Sequence, residues 1–110
     1  MVLGGINPAY AAEAFTYHDL KSEDYWLINV ASFRIGGVTA ATNLNGIVDT
    51  GTSVIVANRN IVAKILLVIG AVQQIDCAKI PSLPSLVFTI DGKAYQLPPQ
   101  MYILQVTMFQ

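Results

Sequence analysis

G-I-V-D-T-G-T-S-V-I-V, residues 46–56, sets one carboxylate, Asp49, between two runs of β-branched apolar residues. Glycine and hydroxyl residues follow it at once. The flanks read as extended chain, because Ile and Val suit a pleated, half-buried surface. An acid that follows an apolar strand loses water and tends to keep its proton, unless local donors hold it charged. Gly51, Thr52 and Ser53 supply such donors, as backbone amides and hydroxyls. Gly51 lets the backbone approach closely, and Thr50 is placed to tie the turn to a neighbour. The pattern therefore reads as a carboxylate that is gripped and aimed.

The rest of the chain bounds what that acid serves. With 110 residues it has room for one domain and a modest core. Its composition is 54% hydrophobic and 12% charged, the opposite of a disordered chain. Six basic residues against seven acidic ones, with no basic run, give no field for nucleic acid. The greasiest run, Ile65 to Ile69, is far shorter than the roughly 20 residues of a membrane-spanning helix. The start, M-V-L-G-G-I-N-P, lacks the charged and apolar regions of a signal peptide. The expectation is a cytosolic chain or an internal piece of a longer precursor. No His/Cys cluster is present to hold a metal, since His18 is the only histidine and Cys77 the only cysteine. Cys77 taken alone reads as a small buried hydrophobe or as half of a disulfide. His18 reads as a residue on the solvent face of a strand.

The patterning is mostly of period two. Residues 13–20, E-A-F-T-Y-H-D-L, alternate and are expected to form a strand, as is Y-W-L-I-N-V at 25–30. Residues 32–40 read as a hairpin turning at Gly36-Gly37, T-N-L-N at 42–45 as a polar loop, and 46–48 as a strand. Residues 58–70 break the pattern, with Ile61, Ile65 and Ile69 on one stripe and Val62 and Leu66 beside it. That spacing predicts an amphipathic helix, capped by Asn58 or Asn60 and ended by Gly70. V-Q-Q-I-D-C (72–77) is expected as a strand, and two prolines block regular pairing in 80–85. L-V-F-T-I, D-G and K-A-Y-Q-L (86–97) predict a second hairpin, and Pro98-Pro99 opens a short helical turn through Tyr102. The class is mainly β with one helix of any length.

One chemistry that needs such an acid is peptide hydrolysis by two aspartates. The two carboxyls share one proton, because like charges so close cannot both ionise. The ionised one takes a proton from water, and the protonated one hydrogen-bonds the scissile carbonyl. Neither a metal nor a cofactor is required. The wider sequence carries motifs to match. I-V-D-T-G-T-S leads to a helix ending in I-G-A. V-L-G-G-I-N-P-A-Y stands at the start. F-T-Y-H-D-L precedes Y-W-L-I-N-V, and D-C-A-K-I-P-S-L-P-S-L-V-F-T-I-D-G-K-A-Y-Q-L-P-P-Q-M-Y-I-L-Q runs toward the end. These resemble, in order, the motifs of the C-terminal lobe of the pepsin/cathepsin D family of aspartic endopeptidases. The resemblance covers nearly the whole chain.

It implies a mainly β lobe, one half of a bilobal β-barrel protein. It also assigns roles. Asp49 falls on the catalytic aspartate of that lobe. Thr50 falls on a threonine that hydrogen-bonds across the lobes, with Ser53 supporting the same turn. Gly51 and Thr52 fall on positions that bond the substrate backbone, and Ile47 on an apolar position lining a substrate pocket. Cys77 falls on a cysteine that is disulfide-bonded in the family, its partner lying beyond the matching residues. The implied substrate is a peptide or protein, and the implied compartment is lysosomal, vacuolar or secreted.

Residues 1–110 then stand as a partial C-terminal lobe. No second D-T-G occurs, so the N-terminal lobe with the first aspartate is the expected partner, and the family's final strand and its L-G-D-x-F motif are not found. The expectation is a parent that cleaves peptides at acidic pH and an isolated chain that does not. Two alternatives stand beside it. One is a pepsin-like lobe that acts as a binding module or pseudoenzyme. The other is a homodimer of retroviral-protease type, against which the 48 residues before Asp49 argue.

Overall fold

The computed structural model describes residues 1–70 and 75–104. Its frame is a four-stranded antiparallel sheet in the order β2-β1-β3-β4. The strands are β1 (Leu27–Ile35), β2 (Val38–Ile47), β3 (Leu86–Ile90) and β4 (Lys93–Leu97). Both hairpins close where glycine permits it. Ile35 pairs with Val38 around Gly36-Gly37, and Gly36 has φ +57°. Ile90 pairs with Lys93 around Asp91 and Gly92, whose φ values of +50° and +77° suit a two-residue turn matched to strand twist.

One helix, α1 (Arg59–Ile69), covers the sheet. Asn58 is its cap, Oδ1 accepting from the Ile61 amide at 3.0 Å. Gly70, at φ +73°, ends it with its amide bonded to the Leu66 carbonyl. This is the left-handed stop that glycine adopts without Cβ strain. Ile61 is buried among Phe33, Ile35, Ala40 and Leu86, with Ile65, Val68 and Ile69 half-buried around them. Phe33 stacks on Phe88 at 4.5 Å between centroids. Each aliphatic chain buried here is worth about 1.5–3 kcal/mol. A four-residue helical turn, α2 (Pro99–Tyr102), ends against this core. There the Tyr102 hydroxyl donates to the Pro84 carbonyl at 2.6 Å, and burial pushes its phenol above the ordinary value.

Five expectations need correction. Residues 42–45 are strand, not loop: Thr42, Leu44 and Asn45 pair with Ser32, Val30 and Asn29. Their polar character fits an edge strand with one wet face. Asn43 has a left-handed φ of +51° and the Asn29 side chain bridges to it, while the register of the ladder shifts between Phe33 and Arg34. Tyr25 and Trp26 lie in a turn before β1 rather than in it. Residues 13–20 form no strand, because among the described residues no segment offers them a ladder. His18 does not face solvent; its ring is bonded to the second hairpin, with 14% of the side chain exposed. Of the strand expected at 72–77, residues 72–74 lie outside the described residues. Ile75 and Asp76 have no regular structure, and Cys77 opens a 3-10 turn, Cys77–Ser82, with Asp76 as its cap.

Candidate active site

The Asp49 turn begins where the sheet stops. Leu27 pairs with Ile47 at the end of the β1–β2 ladder, and the Val48 amide adds one bond to the Trp26 carbonyl at 2.9 Å. Asp49 is the next residue. Its Oδ1 accepts from the Gly51 amide at 2.8 Å and its Oδ2 accepts from the Thr52 hydroxyl at 2.8 Å. The Thr52 amide closes the turn onto the Asp49 carbonyl at 3.4 Å. Both carboxylate oxygens are therefore held from within the turn, by Gly51 and Thr52.

Those bonds favour the charged form. The Thr52 hydroxyl first, and the Gly51 amide second, hold the Asp49 carboxyl below its ordinary value, and desolvation opposes them only weakly. The expectation that an acid here loses water is thus corrected: the turn is open to solvent, and the donors win. Gly51 is needed for closeness rather than for a special φ. A Cβ at Gly51 would lie 3.1 Å from Asp49 Oδ1, inside ordinary contact distance.

The remaining site residues differ in what holds them. Ile47 is 58% exposed and projects from the last paired position of β2. Thr50 and Ser53 are exposed, and among the described residues neither hydroxyl has a hydrogen-bond partner. Asp49, Thr52, Ser53 and Ile47 share one wide, open concavity with Val54, Val56, Met101, Ile103 and Leu104. The sequence reading missed this apolar wall, which comes from the chain after α2 as well as from the turn's own exit. The Y-I-L run was its one visible signal. Asp49 is the only acid on the concavity among the described residues. Cys77 lies away from it, free and exposed, contrary to its reading as a buried hydrophobe. Among the described residues no group of three or more His, Cys, Asp or Glu is placed to hold a metal ion. Among them, too, no helix is long and apolar enough to cross a membrane.

The geometry is thus that of a gripped, solvent-facing aspartate at the end of a strand, beside an apolar trough. The chain belongs to the eukaryotic aspartyl protease family, whose sequence model matches residues 1–110. Over 113 aligned positions it is 39% identical to pepsin A of Suncus murinus and 38% identical to pepsin A of Rhinolophus ferrumequinum. It is 34% identical to chymosin of Callithrix jacchus over the same length. The alignments to the two pepsins take in 96% of this chain and 29% of the relatives, so it spans under a third of their length. The mainly β architecture is that of a pepsin-like lobe.

Proposed function

We propose that this chain is the C-terminal lobe, or the greater part of it, of a pepsin-like aspartic endopeptidase. Asp49 is one of its two catalytic carboxylates. The observation that carries the reading is the grip on Asp49: both oxygens bonded within D-T-G-T, the group open to a concavity, in a chain of the pepsin family. The second carboxylate comes from outside that concavity, in an N-terminal lobe facing this one. When two such acids meet, they share one proton. Asp49, held charged by Thr52 and Gly51, is the one suited to take the proton from water. The partner acid then keeps its proton and bonds the scissile carbonyl. Ile47 and the apolar wall seat a substrate side chain. Gly51 and Thr52 lie within reach of the substrate backbone. Thr50, whose hydroxyl is unengaged among the described residues, bonds across to the other lobe, and Ser53 supports the turn. Cys77 is half of a disulfide in the parent protein. The compartment is lysosomal, vacuolar or extracellular.

The test compares the chain alone with the chain joined to an N-terminal lobe, on a peptide substrate at about pH 3 to 5. Hydrolysis is expected only from the joined form, and is expected to vanish with Asp49→Asn. Cleavage by the chain alone that depends on Asp49 would point to a homodimer, which sedimentation would then reveal. Tight peptide binding by the joined form without turnover would favour a binding module.

A further inference from the structure

Between Ile47, the last paired residue of β2, and Asn58, the cap of α1, the chain that carries Asp49 has little to hold it. Val48, Val54, Ile55 and Val56 are each more than half exposed, so packing does not fix their path. The bonds of the Asp49 carboxylate go to Gly51 and Thr52, inside the same stretch. Among the described residues, one hydrogen bond alone leaves 48–57 for the rest of the molecule. It runs from the Val48 amide to the Trp26 carbonyl at 2.9 Å. Trp26 lies outside β1, so whatever fixes its carbonyl also fixes the arm that bears the acid.

That carbonyl belongs to the peptide unit joining Trp26 to Leu27, which is trans and planar, its C=O and N–H pointing opposite ways. On the N–H side, the Leu27 amide donates to the Tyr25 carbonyl at 2.7 Å. The Leu27 carbonyl accepts from the Lys21 amide at 2.8 Å, and Ser22 forms a bridge with Leu27. Within the turn, Ser22 Oγ accepts from the Asp24 amide and donates to Asp24 Oδ2, each at 3.3 Å. Residues 21–27 therefore set the plane of one peptide, and that plane aims an acceptor at Val48. Trp26 is exposed, so the hold runs through its backbone and not through packing of its indole.

We infer that turn 21–27 is the positioning element of the Asp49 arm, acting through the Trp26 carbonyl, with Ser22 as the side chain that locks it. The kinetic consequence rests on the reading of Asp49 as catalytic; the anchor itself does not. A carboxylate that must meet a second one and a water tolerates little displacement. The grip within D-T-G-T travels with the arm. Loss of the anchor thus misplaces Asp49 without loosening its own bonds.

Hydrogen exchange and kinetics test this together. In the chain alone, the Val48 amide is expected to exchange more slowly than the Asp49 amide, which has no acceptor among the described residues. Ser22→Ala is expected to speed Val48 exchange roughly threefold while β1 keeps its protection, and Ser22→Thr to restore it. In the two-lobed protein, Val48→Pro removes the donor. It is expected to lower kcat by about tenfold at unchanged KM, the pattern of an interaction realised at the transition state. Should Val48→Pro lose β1 protection, Ser22→Ala decides, with kcat down by roughly threefold and restored by Ser22→Thr. A Val48 amide that exchanges as fast as that of Asp49 would overturn the inference, as would a wild-type kcat in folded Val48→Pro. A wild-type two-lobed protein without turnover would instead overturn the proteolytic reading, and the exchange rates then decide the anchor by themselves.

Discussion

Two aspartate–glycine turns in this molecule use the same residue types for opposite ends. Asp91-Gly92 joins two paired strands, and its carboxylate reaches out of the turn to His18. Asp49-Thr50-Gly51 leaves a strand for unpaired chain, and its carboxylate turns back on Gly51 and Thr52. The first turn uses its acid to fasten a distant segment. The second supplies its acid's bonds from its own residues, so the group stays charged, oriented and open on its outer side. What makes an aspartate a candidate for chemistry here is therefore the source of its donors, not the presence of a tight turn.

That contrast can be broken in graded ways. The largest effect is expected at the acid itself. In the two-lobed protein, Asp49→Asn should cut turnover by about a thousandfold or more while the melting temperature stays near that of the wild type. Asp91→Asn should leave turnover near wild type. A matched pair of glycine substitutions comes next. Gly92, at φ +77°, pays for any side chain with backbone strain, so Gly92→Ala should destabilise by about 1–2 kcal/mol in urea unfolding. Gly51→Ala should cost little stability. Its Cβ would crowd Asp49 Oδ1 at 3.1 Å, so turnover should fall by roughly tenfold instead.

Smaller effects follow from the proton equilibria. Thr52→Val removes the larger of the two influences that lower the Asp49 carboxyl, so its titration by carbon-13 NMR should move up toward the ordinary value. A depressed carboxylate contributes stability above its unfolded pKa of about 3.9 and loses it as pH falls through the folded value. Thr52→Val should therefore flatten the acid side of the stability curve. The smallest change is expected at Lys93, whose hydrogen bond to Glu13 raises its ammonium above the ordinary value. That contribution is present below the unfolded lysine pKa of about 10.4 and fades as pH rises through the folded one. Glu13→Gln should remove this alkaline slope in melts taken at increasing pH.

Much of the frame was readable from local chemistry. Gly36-Gly37 and Asp91-Gly92 mark their hairpins because only such residues accept those φ values cheaply. Residues 59–69 mark their helix by an apolar stripe between an asparagine cap and a glycine stop. The Asp49 grip was legible for the same reason, its donors being within three positions. What escaped the reading depends on partners far along the chain. T-N-L-N looks like a loop because its residues are polar, and only pairing with β1 makes it a strand. Residues 13–20 alternate like a strand, but alternation does not supply a neighbour to pair with. His18 is separated by 73 positions from Asp91, and no local pattern joins them. The apolar wall beside Asp49 likewise needs Met101 to Leu104 brought back across the sheet.

The bond from the Val48 amide to the Trp26 carbonyl gives the Asp49 edge an optical handle. Trp26 is the chain's single tryptophan and is 71% exposed, one residue before β1. Its backbone holds the residue next to Asp49 at 2.9 Å. Indole emission thus comes from one known place, a single hydrogen bond from the carboxylate turn. Any peptide or lobe that settles on that edge should shift the emission colour without a label, and the shift can be timed in a stopped-flow cell.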